Sequence, residues 1–505
     1  MSTAAPTLNK PLTVLHTSDW HLGRRLYGQM RYEEFAAFLA WLQDTMHAQQ
    51  VDILIVAGDV FDTMTPSNRA QALYYEFLAA VAKSTCQHIV IVAGNHDSPS
   101  FLDAPSQFLR ALNVHVIGTA CDDASDEVLV LDNANGQPTA IVAAVPYLRD
   151  RDVRGSSAGE SMDTKDANVV KGIQTHYDRV AAIAKDKQAA LLASNLNYVP
   201  IIATGHLFAA GGKTTEDDGV RELYVGNLGK VTADTFDDSF DYVALGHLHV
   251  PQRVGGCEHI RYSGSPIAMG FGEARQQKQV LLVQFGDDIP PIDMNIQSAQ
   301  SAPASTAPTE PAPEAQTPTS TPQNTQASFT DDLFGFDMFD DDEEETIVEQ
   351  TKPIAEAVAT EPQTTRKNGT QMLITPLAVP TFQPLAQITG DIDHITRTIQ
   401  ALPAQQVYWL EVIYDGDEVV TDLREQIQAL VAKLPHEVLK IKNNQRYEKV
   451  LNQQQGNETL QDLNEMEVFE RCLIVHDVAD SQRPTLRDAY AEIVHHLHHD
   501  DKYAE

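Results

Sequence analysis

The sequence predicts an α/β protein, and three observations carry that reading. Five apolar, β-branched runs in the first half each end in Asp, Asn or His. Segments of helical period lie between the first three, and the composition breaks sharply near residue 297 before apolar patterning resumes. Runs of this kind, closed by Gly or a turn, read as buried strands.

In chain order the strands are TVLHTSDWH (13–21), ILIVAGDVFD (53–62), IVIVAGNHD (89–97), PIIATGH (200–206) and YVALGHLH (242–249). Residues 31–49 set Phe35, Phe38, Leu39 and Leu42 on one helical face, and 68–82 follow Thr65-Pro66-Ser67, a turn and N-cap. From about 297 to 371 the chain is rich in Ala, Pro, Thr, Ser and Gln, too little apolar surface to offset chain ordering. Within it, at 328–345, Leu333, Phe334, Phe336, Met338 and Phe339 alternate with acids. This reads as a solvated acidic tail, with docking in a groove of another protein as the alternative. Beyond it, helix 392–402, strand 408–414, helix 423–434 and strand 437–442 follow, then amphipathic helices at 460–475 and 486–497. The expected organisation is a flexible N-terminus (1–11), a catalytic domain (12–290), a disordered acidic linker (291–375), a smaller domain (376–450) and a helical region (451–505).

Charge and cysteine usage exclude several classes. The formal net charge of −35 argues against a large basic surface for nucleic acid, although the acids are unevenly spread. No Lys or Arg lies between Lys278 and Lys352, while residues 331–349 carry ten acids. Cys86, Cys121, Cys257 and Cys472 form no CxxC pair, which speaks against a disulfide framework or zinc ribbon. With no apolar signal core at the start and no run of membrane-spanning length, a cytoplasmic protein is expected.

Open α/β sheets build their sites at the carboxyl ends of strands. That edge collects Asp19, His21, Asp59, Asn95, His96, His206, His247 and His249. Carboxylate, amide and imidazole groups with almost no sulfur suit hard-to-borderline divalent cations. In Asp19-Trp20-His21, alternate residues of an extended segment share one side, so both can hold one ion. Asp59, after a turn at Gly58, can bridge two ions and neutralise their repulsion. Asn95 offers an uncharged oxygen and leaves His96 free beside the ions, and His247/His249 repeat the alternate spacing. One strand-end His is more often a hydrogen-bonded core residue than a ligand, but five such motifs in order make coincidence a poor explanation. His16 reads as core. Gly211-Gly212-Lys213-Thr214 lacks the glycine a P-loop needs at position 207, where Leu207 stands, and His495, His496, His498 and His499 read as a solvated helix end.

The motifs DxH, GDxxD, GNHD, GH and GHxH resemble the calcineurin-like metallophosphoesterase superfamily. The longer stretches HTSDWHLG, VAGDVFDT, AGNHDSP, IIATGHL, ALGHLH and RYSGSPI are similar to its SbcD family of nucleases. QPLAQITGD and VYWLEVIYD resemble that family's C-terminal region, and the acidic linker departs from its pattern. The resemblance implies a four-layer αββα sandwich followed by an α+β capping domain and partner-docking helices. It implies one metal held by Asp19, His21, Asp59 and His249, and another by Asp59, Asn95, His206 and His247, with Mn²⁺ favoured. His96 would assist the leaving group, and Asp62 would orient a ligand or His96.

The implied activity is ATP-regulated cleavage of double-stranded DNA ends and hairpins, as exonuclease and single-strand endonuclease, in repair, recombination and replication at the nucleoid. The implied partner is an SbcC-like coiled-coil ATPase, joined by a homodimer of this chain in a heterotetramer; no nucleotide is bound by this chain. Arg24, Arg25 and Arg31 would grip the DNA backbone, ordinary surface charge being the alternative. Two other readings stand: a phosphoesterase for small phosphodiesters or nucleotides, and a scaffold recruiting factors through the linker.

Overall fold

In the computed structural model, residues 11–153, 162–194, 198–209, 231–286, 362–367, 370–416 and 422–444 are described, with Ile289, Val420, Arg483, Leu486, Arg487 and Tyr490. The first strand, β1 (Leu12–Thr17), is followed by a small hairpin, β2 (Arg25–Leu26) and β3 (Gln29–Met30), and by helix α1 (Tyr32–Ala48). Tyr27 and Gly28 turn the hairpin with φ of 45° and 86°, the backbone that a tight two-residue hairpin requires. Next come β4 (Ile53–Ala57), α2 (Asn68–Val81), β5 (His88–Val92), the short helices α3 (Pro99–Asp103) and α4 (Ser106–Arg110), and β6 (Val114–Ile117). The Ser67 side chain accepts a hydrogen bond from the Ala70 amide, so the N-cap expected ahead of α2 is present.

Strands β7 (Val128–Asp132) and β8 (Pro138–Ala143), helices α5 (Asp150–Val153) and α6 (Met162–Ala193), and strands β9 (Ile201–His206), β10 (Tyr242–Gly246), β11 (Gln252–Arg253), β12 (Ile260–Tyr262) and β13 (Gln279–Phe285) follow. Beyond the compositional break lie β14 (Gln363–Lys367) and β15 (Thr370–Ala378).

These strands make two mixed sheets, ordered β14-β15-β13-β1-β4-β5-β6 and β11-β12-β10-β9-β8-β7. Between them lies an apolar layer in which Val14, Ile53, Ile55, Val90, Val92 and Leu281 meet Val142, Ile202, Tyr242 and Ala244. Side chains of opposite parity turn outward: Ile141, Ile201, Val243 and Leu245 pack against Ile173, Tyr177 and Val180 of α6. On the far face of the first sheet, the parallel steps β1–β4 and β4–β5 run through α1 and α2, which right-handed crossovers put on one side. Trp20 there meets Phe38 and Phe77 edge-on at 5.9 and 5.4 Å. The layer order is therefore αββα, as the resemblance implies.

The smaller part is β16 (Leu385–Gly390), α7 (Ile392–Ala401), β17 (Trp409–Tyr414), α8 (Leu423–Val431) and β18 (Glu437–Asn443), a parallel three-stranded sheet. Ile388, Leu410, Val412 and Tyr414 pack against Ile395, Ile399 and Ile427. The pattern reading matches these elements except β16, which it did not mark.

One boundary needs correcting. The linker expected at 291–375 runs into β14 and β15, both strands of the first sheet. Residue 376 lies inside β15, where Pro376 pairs with Leu281. Thr and Gln supply five of the ten residues 363–372, so the pattern there carries little period. The acidic aromatic stretch 328–345, residues 211–214, the amphipathic segment 460–475 and the terminal histidines lie outside the described residues. Of 486–497 only Leu486, Arg487 and Tyr490 are described. No helix among the described residues is long and apolar enough to cross a membrane.

Candidate metal centre

Strands β1, β4 and β5 run parallel in one sheet and β9 and β10 in the other, so their carboxyl ends meet at one edge of the sandwich. The turns leaving them are stitched together by backbone bonds. The amides of Asp19, His21 and Leu22 donate to the carbonyls of Gly58, Asp59 and Val60 at 3.0, 3.0 and 2.9 Å. The Asp97 carboxylate accepts from Val60, Phe61 and Gly94 amides at 3.1, 2.9 and 2.9 Å, locking the turn after β4 to that after β5.

These turns hold unusual conformations. Seven non-glycine residues among those described have positive φ; four are Asp19 (53°), His21 (47°), Asp59 (50°) and His247 (103°). Each such residue costs about 1–3 kcal/mol and persists only where its surroundings over-determine it. Space is equally tight. Gly58 sits at φ 90° where a Cβ would overlap the His206 imidazole, and a Cβ at Gly94 would overlap the Asp59 carboxylate.

Three overlapping groups result, each with ligand atoms mutually within 4.8 Å: Asp19, His21 and His249; Asp59, His206 and His247; and His21, Asp59 and His96. All eight expected residues except Asn95, which is partly exposed, are buried. Asn95 Oδ1 lies 2.9 Å from His206 Nε2, which is itself 3.3 Å from Asp59 Oδ2. His206 Nδ1 faces the Ala57 carbonyl at 3.0 Å, so that nitrogen carries the proton and Nε2 points into the site. His21 Nε2 and His249 Nε2 face one another at 3.2 Å, and His247 Nε2 is buried without a hydrogen-bond partner. The Asp19 carboxylate accepts from the His247 amide at 2.9 Å and from Ser18 Oγ at 2.5 Å.

The electrostatics suit a cation. Burial holds the imidazoles of His21 and His247 below their ordinary range, so both are neutral donors. Burial also disfavours charge on His206, but the adjacent Asp59 carboxylate prevails and raises it to about 9, so without an ion Nε2 carries a second proton that a bound cation would replace; the same pairing keeps Asp59 ionised despite its own burial. Buried imidazole nitrogens converging on buried carboxylates, with an orphaned Nε2 among them, fit a divalent ion. Among the described residues no cysteine joins these groups, and burial pushes the Cys86 thiol up to about 12.

Asp62 and His96 sit at the rim. His96 Nδ1 bonds the Asp62 carbonyl at 2.9 Å, and the Asp62 carboxylate lies 3.4 Å from His21 Nδ1 and 3.5 Å from Arg24 Nη1. Asp62 therefore touches His21 through its carboxylate and His96 through its main-chain carbonyl. The three arginines separate. Arg24 is held at the rim by Asp62, and Arg25 is exposed on β2. Arg31 is buried, its Nε 2.7 Å from Glu34 at the start of α1, and is withdrawn from any DNA backbone; a lone Arg before a helix gave no sign of this. His16 is a core residue as read, bonded to Tyr242 Oη at 2.8 Å. The pattern reading missed Glu273 and Lys278, a buried pair reaching His249 from behind. FGEARQQK carries no period or motif that marks them.

Residues 12–251 match the calcineurin-like phosphoesterase family, and 381–476 match the domain family described as type 5 capsule protein repressor C-terminal domain. The protein is thus a calcineurin-like metallophosphoesterase, a metal-dependent hydrolase. The SbcD chain of the SbcCD nuclease of Escherichia coli is 31% identical over 494 residues, covering 96% of this chain and 98% of its own. Its counterparts of the same name from Rhodobacter capsulatus and Bacillus subtilis are 38% and 33% identical over 55% and 54% of this chain, and 68% and 66% of theirs. The chain belongs to this SbcD family of nucleases.

Proposed function

We propose that this chain hydrolyses phosphodiester bonds at double-stranded DNA ends and hairpins with two divalent ions, Mn²⁺ above others. The supporting observation is the convergence of the expected ligands and His96 at one sheet edge, in three groups each within 4.8 Å. Asp19, His21, Asp59 and His249 would hold one ion, and Asp59, Asn95, His206 and His247 the other. Bound there, the ions supply an acidified water and neutralise charge on the phosphoryl oxygens.

The chain's own residues do the rest. The bond to the Asp62 carbonyl fixes the His96 proton on Nδ1 and turns Nε2 toward the site; protonated there, His96 donates to the departing 3′-oxygen. Asp62 steadies His21, and Arg24 and Arg25 contact the backbone phosphates at the rim. With a net charge of −35, the chain relies on a partner for much of its DNA-binding surface. The relatives' name makes each of them one component of an SbcCD nuclease, which supports an SbcC-like ATPase in that role. It would dock on the C-terminal helices of a homodimer at the nucleoid, with ATP regulating access. The linker segment 328–345 is a further contact for a protein partner.

The test is Mn²⁺-dependent cleavage of end-labelled linear and hairpin DNA, with and without the ATPase partner, for wild type, His96→Gln and Asp59→Asn. Cleavage that needs Mn²⁺ and is lost in both variants is expected. Hydrolysis of bis-p-nitrophenyl phosphate with DNA left intact under every condition would replace this reading with a small-phosphodiester one.

A further inference from the structure

Behind His249 lies a buried polar cluster that neither the metal set nor the fold explains. Glu273 ends a tight turn (Phe271–Glu273) and is fully buried. Its Oε1 lies 3.4 Å from His249 Nδ1, and neither atom has a hydrogen-bond partner elsewhere among the described residues. Its Oε2 accepts from the Met269 amide at 2.9 Å and pairs with the Lys278 ammonium. Lys278 is buried in turn and donates to Ser265 Oγ at 3.0 Å and to the His249 carbonyl and Gln276 Oε1, each at 3.2 Å. The Ser265 amide reaches the same His249 carbonyl at 3.2 Å.

A buried ion pair is a weak source of stability, because desolvating both charges costs as much as their attraction returns. This one has a directional use. It touches His249 at both ends, ammonium on its carbonyl and carboxylate facing its ring. A carboxylate on the rear nitrogen of a ligating imidazole fixes the tautomer and raises the basicity of the front nitrogen.

We propose that Glu273 is a positioning residue for His249, accepting its Nδ1–H so that Nε2 is presented to the ion, with Lys278 holding the carboxylate in place. This rests on His249 being a ligand, and the test separates the two. Mn²⁺ binding is measured by titration calorimetry on the full chain for wild type, His249→Ala and Glu273→Gln, with thermal melts as the check on folding. Glu273→Gln should weaken one Mn²⁺ site about 10–100-fold. Activity should return at excess Mn²⁺, so that the metal requirement rises while kcat at saturation is largely kept. If His249→Ala binds Mn²⁺ as wild type does, the ligand reading itself falls. If His249→Ala weakens binding while Glu273→Gln does not, the positioning role is overturned.

A second measurement does not depend on Glu273→Gln folding. ¹⁵N-histidine spectra of the Zn²⁺-loaded wild type, assigned with His249→Ala, should show His249 protonated at Nδ1. Protonation at Nε2 would overturn the proposal.

Discussion

His96 Nδ1 is bonded to the main-chain carbonyl of Asp62 at 2.9 Å, while the side chain of the same Asp62 reaches toward His21 Nδ1 at 3.4 Å. One residue thus makes two contacts through two different groups, and mutation can separate them. Asp62→Asn keeps the carbonyl and should weaken Mn²⁺ binding with little change in kcat at saturating metal. His96→Gln should do the reverse, lowering kcat about 10²–10⁴-fold with Mn²⁺ affinity intact. Calorimetry beside steady-state kinetics reads both; equal loss of affinity in the two variants would refute the separation.

Gly58 should tolerate no side chain. At φ 90°, with the His206 ring where a Cβ would stand, Gly58→Ala must push β9 away from β4 or rotate the imidazole out of the site. The expected outcome is loss of Mn²⁺ binding in a chain that still gives the circular dichroism of the folded protein. Wild-type affinity in Gly58→Ala would contradict this packing.

His16 makes the fold sensitive to mild acid. Burial between the sheets lowers its imidazole to about 3, against an ordinary 6.5 in the unfolded chain. Between those values the unfolded state binds the extra proton, so stability rises with pH, and it is lost as pH falls from about 6.5 toward 3. The contribution is about 1.4 kcal/mol per pH unit within that window. Urea unfolding at pH 7, 6 and 5 should show a shallower acid decline in His16→Gln than in wild type.

The β2–β3 hairpin seats the smaller domain. Tyr27 Oη lies 2.5 Å from Lys440 Nζ on β18, the ammonium sits 4.4 Å from the ring centre, and the ring stacks on Phe271 at 5.6 Å. Leu26, Phe271 and Leu385 form a small apolar cluster beside it. Tyr27→Ala should cost about 1–2 kcal/mol from the lost cation–π and ring contacts. Proteolysis within β16–β18 should quicken while bis-p-nitrophenyl phosphate hydrolysis is retained. An unchanged cleavage pattern would show that the hairpin does not bear on the domain.

The metal edge was legible because its chemistry is written locally: a strand, a glycine or turn, then Asp, Asn or His, as at Asp59 and His206. The sandwich core was legible for the same reason, since β1, β4, β5, β9 and β10 are continuous apolar runs. What stayed hidden depends on distant partners. Arg31 reads as surface charge until Glu34 is seen to bury it, and Glu273 has no signal until the chain brings it behind His249. Strands β14 and β15 were hidden by their place after a polar stretch, and only the pairing of β15 with β13 and of β14 with β15 identifies them.

That last pairing has a consequence for the chain as a connected object. Seven residue pairs, from Gln279 with Ala378 to Phe285 with Met372, join the segment before the compositional break to the segment after it. A single peptide cut between Phe285 and Gln363 therefore severs the covalent thread and leaves the sheet whole. Two separately expressed pieces, 1–289 and 359–505, would carry complementary edges and reassemble as fragments of one protein, the β13–β15 ladder taking the place of the lost peptide connection.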